Sequence, residues 1–369
     1  MTRTDQIKQA LRHNSRQGPV QKADMLSSGS TVLNMAMTGK PYGGFFKGHY
    51  FFVVGDSNSG KTFLGWTCLA EATINPNFDD YRLIFDDVEG GSLMDLEKFF
   101  GPKLVERIEP PMVSGGEPVY SRTAQDFYWN VDDALRAGKP FIYVLDSQDS
   151  LTSREELKKS DKTKRAARKS DDGDDDAKDD AGKGSYGDSK AKVHSSELRK
   201  LMGPLKESGS ILIVLNQTRD SFDLFVKSTY SGGRALVFYS EVTIWSSVQE
   251  TMYKTVNAKK REIGILSRVR VRRSRVTGMG CSVSVPIFHS VGLDDLGGCI
   301  DYLVEEKAWP CSGGLITVKG LGPTFTARRE SLIRMIDEEG MADDVRDLVA
   351  ITWEDIASQC KVDRKSRYE

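Results

Sequence analysis

The sequence predicts an α/β fold: a mostly parallel, twisted sheet with helices on both faces. Apolar runs of strand length at 49–54, 82–85, 141–145 and 211–215 are too uniformly apolar for strands with one wet face. Helical patterns at 63–72, 123–137 and 195–206 fall between them, so strand and helix alternate along the chain. A composition of 38% hydrophobic and 28% charged residues supports a sizeable core and excludes wholesale disorder.

The elements follow in order. Residues 1–27 read as a small helical or partly disordered lead-in whose apolar points are Ile7, Leu11 and Val20. A short apolar segment from Val32 to Met37 precedes the turn Tyr42-Gly43-Gly44. The strand His49 to Val54 runs into Gly55, and the helix Phe63 to Ala72 follows. The strand Arg82 to Phe85 ends in Asp86 and Asp87, and a helix over Ser92 to Phe100 stops at Gly101-Pro102. The helix Thr123 to Ala137 exits through Gly138, and the strand Phe141 to Leu145 ends in Asp146-Ser147. Between Ser160 and Gly184 a basic block passes into an aspartate block with no apolar periodicity, which predicts a disordered charged insertion over about 154–184. Order resumes with the helix Ser195 to Lys206, the strand Ile211 to Leu215 and, after a Gly-Gly turn, a strand from Val237 to Trp245. Valines alternate with arginines in a half-exposed strand over Arg268 to Val276, with Ser282 to Phe288 as its partner. A helix over Leu296 to Lys307, short strands from Pro310 to Thr326, and helices at 331–336 and 343–356 complete the chain.

Fifty-two basic residues nearly cancel fifty-three acidic ones, so a polyanionic partner has to be argued from local patches. Five cysteines without a C-x-x-C pair read as unpaired thiols in a reducing compartment, and the four histidines lack metal-ligand spacing. The polar start and the short apolar runs carry no signal-peptide or membrane-span pattern, so the expected location is the cytoplasm.

Gly55-Asp56-Ser57-Asn58-Ser59-Gly60-Lys61-Thr62 fits G-x-x-x-x-G-K-[ST] completely, between an apolar strand and a helix pattern. Glycines let main-chain N–H groups turn inward as an anion nest, and the helix start adds its positive end. Lys61 brings a mobile charge to the outer phosphates, and Thr62 offers an oxygen to Mg²⁺. The chain is therefore expected to bind ATP as a P-loop NTPase. Asp146, at the end of an apolar strand, is placed to steady the Mg²⁺. Asp86, Asp87 and Glu89 are all candidates for the group that directs the attacking water, and spacing does not choose among them. Asn216 and Gln217 end another strand and present amides to a phosphate or that water.

The ordered series of segments resembles the RecA-like recombinases, especially the phage-encoded strand-exchange type, over about residues 28–306. Leu26-Ser27-Ser28-Gly29-Ser30, Gly187-Asp188-Ser189, Asn216-Gln217-Thr218-Arg219 and Ser231-Gly232-Gly233-Arg234-Ala235-Leu236 carry the likeness, the last most specifically. Asp87-Val88-Glu89 is similar to the family's D-x-E, which implies that Glu89 activates the water and Gln217 senses the γ-phosphate. Arg273 and Arg275 stand where the family has two lysines that reach a neighbouring subunit's ATP. The first DNA loop is enlarged, the second is short, and Leu96 stands where an adenine-stacking aromatic is expected, leaving Phe99 or Phe100 as substitutes.

The resemblance implies a DNA-dependent ATPase that forms helical filaments on single-stranded DNA, pairs it with homologous duplex, and works with a phage or host loader or single-strand-binding protein. Lys190, Lys192, Arg199, Arg219, Lys227 and Arg234 would meet backbone phosphates, and Phe222, Phe225 and Tyr230 would stack on bases. The expected organisation is an N-terminal helical or oligomerisation segment (1–27), the ATPase core (28–306) and a small C-terminal module (307–369). A recombination mediator of the same fold and a hexameric replicative helicase are the alternatives.

Overall fold

In the computed structural model, residues 20–91, 93–170, 188–220, 228–364 and 367 are described. A ten-stranded mixed sheet organises the chain. Its strands are β1 (Tyr50–Gly55), β2 (Arg82–Asp87), β3 (Ile108–Glu109), β4 (Phe141–Asp146), β5 (Ile211–Asp220), β6 (Ser228–Tyr230), β7 (Val242–Val256), β8 (Lys259–Ser274), β9 (Cys281–Phe288) and β10 (Gly292–Leu293). The order is β10-β9-β8-β7-β1-β5-β4-β2-β3, with β6 paired to β5. The block from β7 to β3 is parallel, as the uniformly apolar runs predict. The β8, β9, β10 and β6 pairings are antiparallel, and this makes the sheet mixed.

The helices are α1 (Thr31–Thr38), α2 (Lys61–Ile74), α3 (Leu96–Phe100), α4 (Pro102–Arg107), α5 (Ala124–Arg136), α6 (Arg154–Ser170), α7 (Asp188–Ser208), α8 (Ala235–Tyr239), α9 (Asp295–Glu305), α10 (Arg329–Glu339) and α11 (Ala342–Gln359). The period-two side-chain alternation sorts the apolar strand residues into two cores. Phe51, Val53, Phe85, Val144, Ile213 and Leu215 face α2 and the C-terminal elements. Phe52, Val54, Ile84, Tyr143, Leu145 and Val214 face α5, α7 and α8. Leu332 and Ile336 of α10 and Val345 and Val349 of α11 join the first core, so the C-terminal helices share apolar packing with the sheet. Arg329 of α10 on Asp301 and Arg346 of α11 on Asp295 tie these helices to α9 by ion pairs.

Several local expectations are corrected. Residues 237–239 belong to α8, and the following strand starts at Val242. The expected helix over 92–100 shrinks to α3, because Asp95 caps it with a side-chain bond to the Lys98 N–H; Ser92 lies outside the described residues. Pro102 does not merely stop that helix but opens α4, where its fixed φ and missing N–H cost nothing. Within the charged insertion, 154–170 is helical. Ser153 caps the Glu156 N–H while Glu156 accepts from the Ser153 N–H, and the Glu-Glu start of α6 suits its dipole. Composition hid this helix because its stability resides in caps and Lys, Arg and Ala propensity, not in an apolar stripe. The remainder, 171–184, and the lead-in to residue 19 lie outside the described residues. The β7–β8 hairpin is much longer than the sequence indicated, its turn closed by Asn257 and Ala258 at positive φ.

Candidate active site

The parallel block brings the C-terminal ends of β1, β5, β4 and β2 side by side, where open α/β sheets place their ligands. Gly55 pairs with Gln217 across β1 and β5, and Asp87 with Asp146 across β2 and β4. Residues distant in sequence thus share one edge.

The loop from Gly55 to Thr62 turns tightly, with Asn58 at φ 59° and Gly60 at φ 90°. A Cβ on Gly55 would meet Ser246 Oγ at 2.0 Å, and one on Gly60 would meet Ile287 Cδ1 at 2.4 Å, so only glycine fits at these two positions. Ser59 Oγ donates to the Asp56 carbonyl at 2.7 Å, and Ser267 Oγ donates to the Ser59 carbonyl at 2.8 Å, fixing the loop against β8. Thr218 Oγ1 ties Asp56 to β5 at 2.5 Å.

Lys61 is buried, with Nζ donating to the Asp56 carbonyl at 2.6 Å. Burial pushes its ammonium pKa down, against the pull of Asp146, Glu89 and Asp56. Thr62 Oγ1 donates to Asp146 Oδ2 at 2.6 Å. Burial raises the Asp146 carboxyl to about 6; the Thr62 hydrogen bond works against this, neighbouring Glu89 and Asp87 add to it, and Lys61 opposes it. A hydroxyl and a carboxylate on one small patch are hard oxygen donors, a set that fits Mg²⁺ shared with substrate phosphates. The glycine cradle and the Lys61 ammonium beside it fit a polyphosphate.

The three candidate carboxylates separate in space. Asp86 is wholly buried and accepts from the Ser121 N–H (2.9 Å), Ser121 Oγ (2.5 Å) and the Tyr143 hydroxyl (2.6 Å). Its lone pairs are spent on structure. Asp87 accepts from the Gly91 N–H at 3.3 Å. Glu89 Oε1 accepts from Gln217 Nε2 at 2.8 Å, Ser150 Oγ at 3.2 Å and Ser147 Oγ. Of the three, Glu89 is the one joined to Gln217.

A cavity of about 570 Å³ opens beside the loop, lined by Lys61, Phe63, Met94, Phe99, Phe288 and His289 among others. Phe99, not Phe100, lines it; Phe100 packs toward Trp66. The far wall, from β9, was missed by sequence reasoning. Nothing local marks Phe288 or His289, because only the sheet order places β9 near the loop.

Arg273 and Arg275 lie elsewhere. Arg273 pairs with Thr243, which pairs with Phe52, three residues back from Gly55, or about 10 Å along the strand. Arg273 Nη1 donates to the Val237 carbonyl at 2.7 Å, and Arg275 Nη2 to the Phe238 carbonyl at 2.5 Å, so both cap the end of α8. Neither contacts the Gly55–Thr62 loop of its own chain.

The remaining basic and aromatic candidates differ in their surroundings, and Lys190 and Arg219 meet at Asp149. Lys192 and Arg199 are exposed, seven residues apart on one face of α7, and Arg234 is exposed ahead of α8. Lys190 is buried, its ammonium on the carbonyls of Gln148, Asp149 and Leu151. Arg219 is paired with Asp149. The ring of Tyr230 packs edge-on against Phe52 and Trp245, which gives it a place in the core. Phe222, Phe225 and Lys227 lie outside the described residues.

Comparison with known proteins points to one family. Residues 174–294 match the model of the RecA N-terminal domain. The chain is 28% identical to Protein RecA of Chlorobaculum tepidum over 298 residues, covering 78% of this chain and 71% of that protein. It is 27% identical to Protein RecA of Mycobacterium ulcerans, covering 81% and 75%, and 26% identical to that of Mycobacteroides abscessus, covering 86% and 81%. The similarity is distant but consistent across species, and it is to RecA proteins at large. No helix among the described residues is long and apolar enough to cross a membrane.

Proposed function

We propose that the chain is an ATP-dependent DNA recombinase that assembles as a filament on single-stranded DNA and promotes homologous pairing and strand exchange. One observation carries this reading. Lys61, Thr62, Asp146, Glu89 and Gln217 converge at the ends of four neighbouring strands, while Arg273 and Arg275 sit away from that edge. Lys61 is the cation that this edge holds itself, and the reading has Arg273 and Arg275 serve the corresponding edge of a second copy.

Phosphoryl transfer asks mainly for positioning and charge neutralisation. The main-chain nest of 55–62 and Lys61 grip the outer phosphates. Thr62 Oγ1 and Asp146 would hold Mg²⁺, which when bound neutralises phosphate charge. Glu89, aligned by Gln217, Ser147 and Ser150, orients the water and takes its proton. Phe63, Phe99 and Phe288 offer apolar faces to the base. Arg273 and Arg275 would reach the triphosphate held by the next protomer, and cations lent in trans raise turnover by orders of magnitude. Gln217 leads directly into Arg219, so the state of the phosphate edge and that of the nucleic-acid face share one strand. The likeness to RecA proteins supports both the ATP-dependent chemistry and the DNA partner.

The test is ATP turnover with and without single-stranded DNA, beside electron microscopy of the assemblies. DNA-stimulated turnover on extended filaments is expected. Closed rings that unwind a forked duplex would replace this reading with a helicase, and turnover indifferent to DNA would remove the DNA partner.

A further inference from the structure

The short turn after β4 is where the nucleic-acid face is held together. Arg219 is more than half exposed, yet its guanidinium is engaged by Asp149: Nε lies 3.1 and 3.3 Å from the two carboxylate oxygens, and Nη2 lies 2.9 Å from Oδ2. The Asp149 side chain is only 15% exposed and also accepts from Ser231 Oγ. The main chain of Ser231 is in turn held by the Asn216 amide at 3.1 Å. Lys190 holds the main chain of the same residue, its ammonium 3.2 Å from the Asp149 carbonyl oxygen, and the charges of Asp149 and Glu156 act on it.

We infer that Asp149 is a built-in competitor for the nucleic-acid backbone: its carboxylate occupies Arg219 in the free protein, and a phosphate must displace it before Arg219 contributes to binding. The inference rests on the DNA-binding reading above. A guanidinium keeps its charge at any relevant pH, so Arg219 stays a cation for which carboxylate and phosphate compete. A carboxylate and a phosphodiester present the same pair of oxygens to it. The exchange is nearly balanced, because an ion pair on so exposed an arginine is worth little net. Asp149 is not stranded when Arg219 leaves, since its carboxylate still accepts from Ser231 Oγ and the charge of Lys190, whose ammonium sits on the Asp149 main-chain carbonyl, still acts on it. The contact therefore lowers affinity by a set factor and does not block binding, which disfavours weak or partial engagement of a strand.

Asp149→Asn keeps the shape and the Ser231 hydrogen bond and removes the charge. Fluorescence anisotropy of a labelled single-stranded oligo(dT) at low salt, with full-length protein and no nucleotide, is expected to show about fivefold tighter binding by the variant. In an Arg219→Gln background the same substitution should leave affinity essentially unchanged. Unchanged or weaker binding by Asp149→Asn alone would overturn the inference, making Asp149 a residue that positions Arg219. Equal tightening in both backgrounds would also overturn it, as an effect of net charge. Asp149→Ser serves if the asparagine variant melts early. If wild type binds ATP but no oligonucleotide, it is the DNA reading itself that falls.

Discussion

His194 allows a sharp test of how the elements around the site are held. It is wholly buried, between the Tyr128 hydroxyl (2.8 Å from Nδ1) and the Gln148 amide nitrogen (2.9 Å from Nε2). An amide nitrogen can only donate, so Nε2 accepts and the ring proton sits on Nδ1, facing Tyr128. Protonating Nε2 would set two donors against each other in a dry site. Burial, with Lys190 nearby, pushes the pKa down to about 3 from an ordinary 6.5. The sign follows from linkage: the unfolded chain takes up a proton as pH falls through 6.5, whereas the folded chain does not, so His194 contributes stability that is lost between 6.5 and about 3. From about pH 7 to about pH 5 the loss is about 2 kcal/mol, and it depends on the unfolded-state value because the buried ring stays neutral throughout. His194→Gln can keep both hydrogen bonds without titrating. Urea unfolding of wild type and variant at the two pH values isolates the term, since every other group titrates alike in both. The wild type should lose about 2 kcal/mol more than the variant. Parallel losses would refute the burial of a neutral imidazole at this junction.

Asp86→Ala should cost roughly 3 kcal/mol of unfolding free energy, because it strands the Ser121 N–H and the Tyr143 hydroxyl in the core; denaturant titration checks it, and a near-neutral result would contradict the buried network. Glu89→Gln should retain nucleotide binding while hydrolysis falls by about a hundredfold or more, read by equilibrium binding beside turnover; normal turnover would remove Glu89 as the base. Arg273→Ala with Arg275→Ala should lower turnover by roughly three orders of magnitude. Mixing that protein with Lys61→Ala should restore part of the turnover, since each mixed interface can combine an intact loop with intact arginines; no recovery would argue against a shared site.

The phosphate loop was legible in the sequence because its chemistry is local: glycine torsions, a helix start and one lysine fall within eight consecutive residues, Gly55 to Thr62. The parallel core was legible because strands buried on both faces must be apolar throughout. The choice among Asp86, Asp87 and Glu89 was not, since spacing along the chain says nothing of which carboxylate meets Gln217 and which meets Tyr143. Likewise, a count of basic residues could not distinguish Lys190, spent on three carbonyls, from exposed Lys192 two positions away. Composition misread 154–170, whose helix is held by its cap. By itself, then, the sequence determined the apolar parallel strands, the loop and the kinds of group available. Only the tertiary structure decided which of those groups share an edge, because strand order joins residues that the chain keeps more than a hundred positions apart, as it does Glu89 and Gln217.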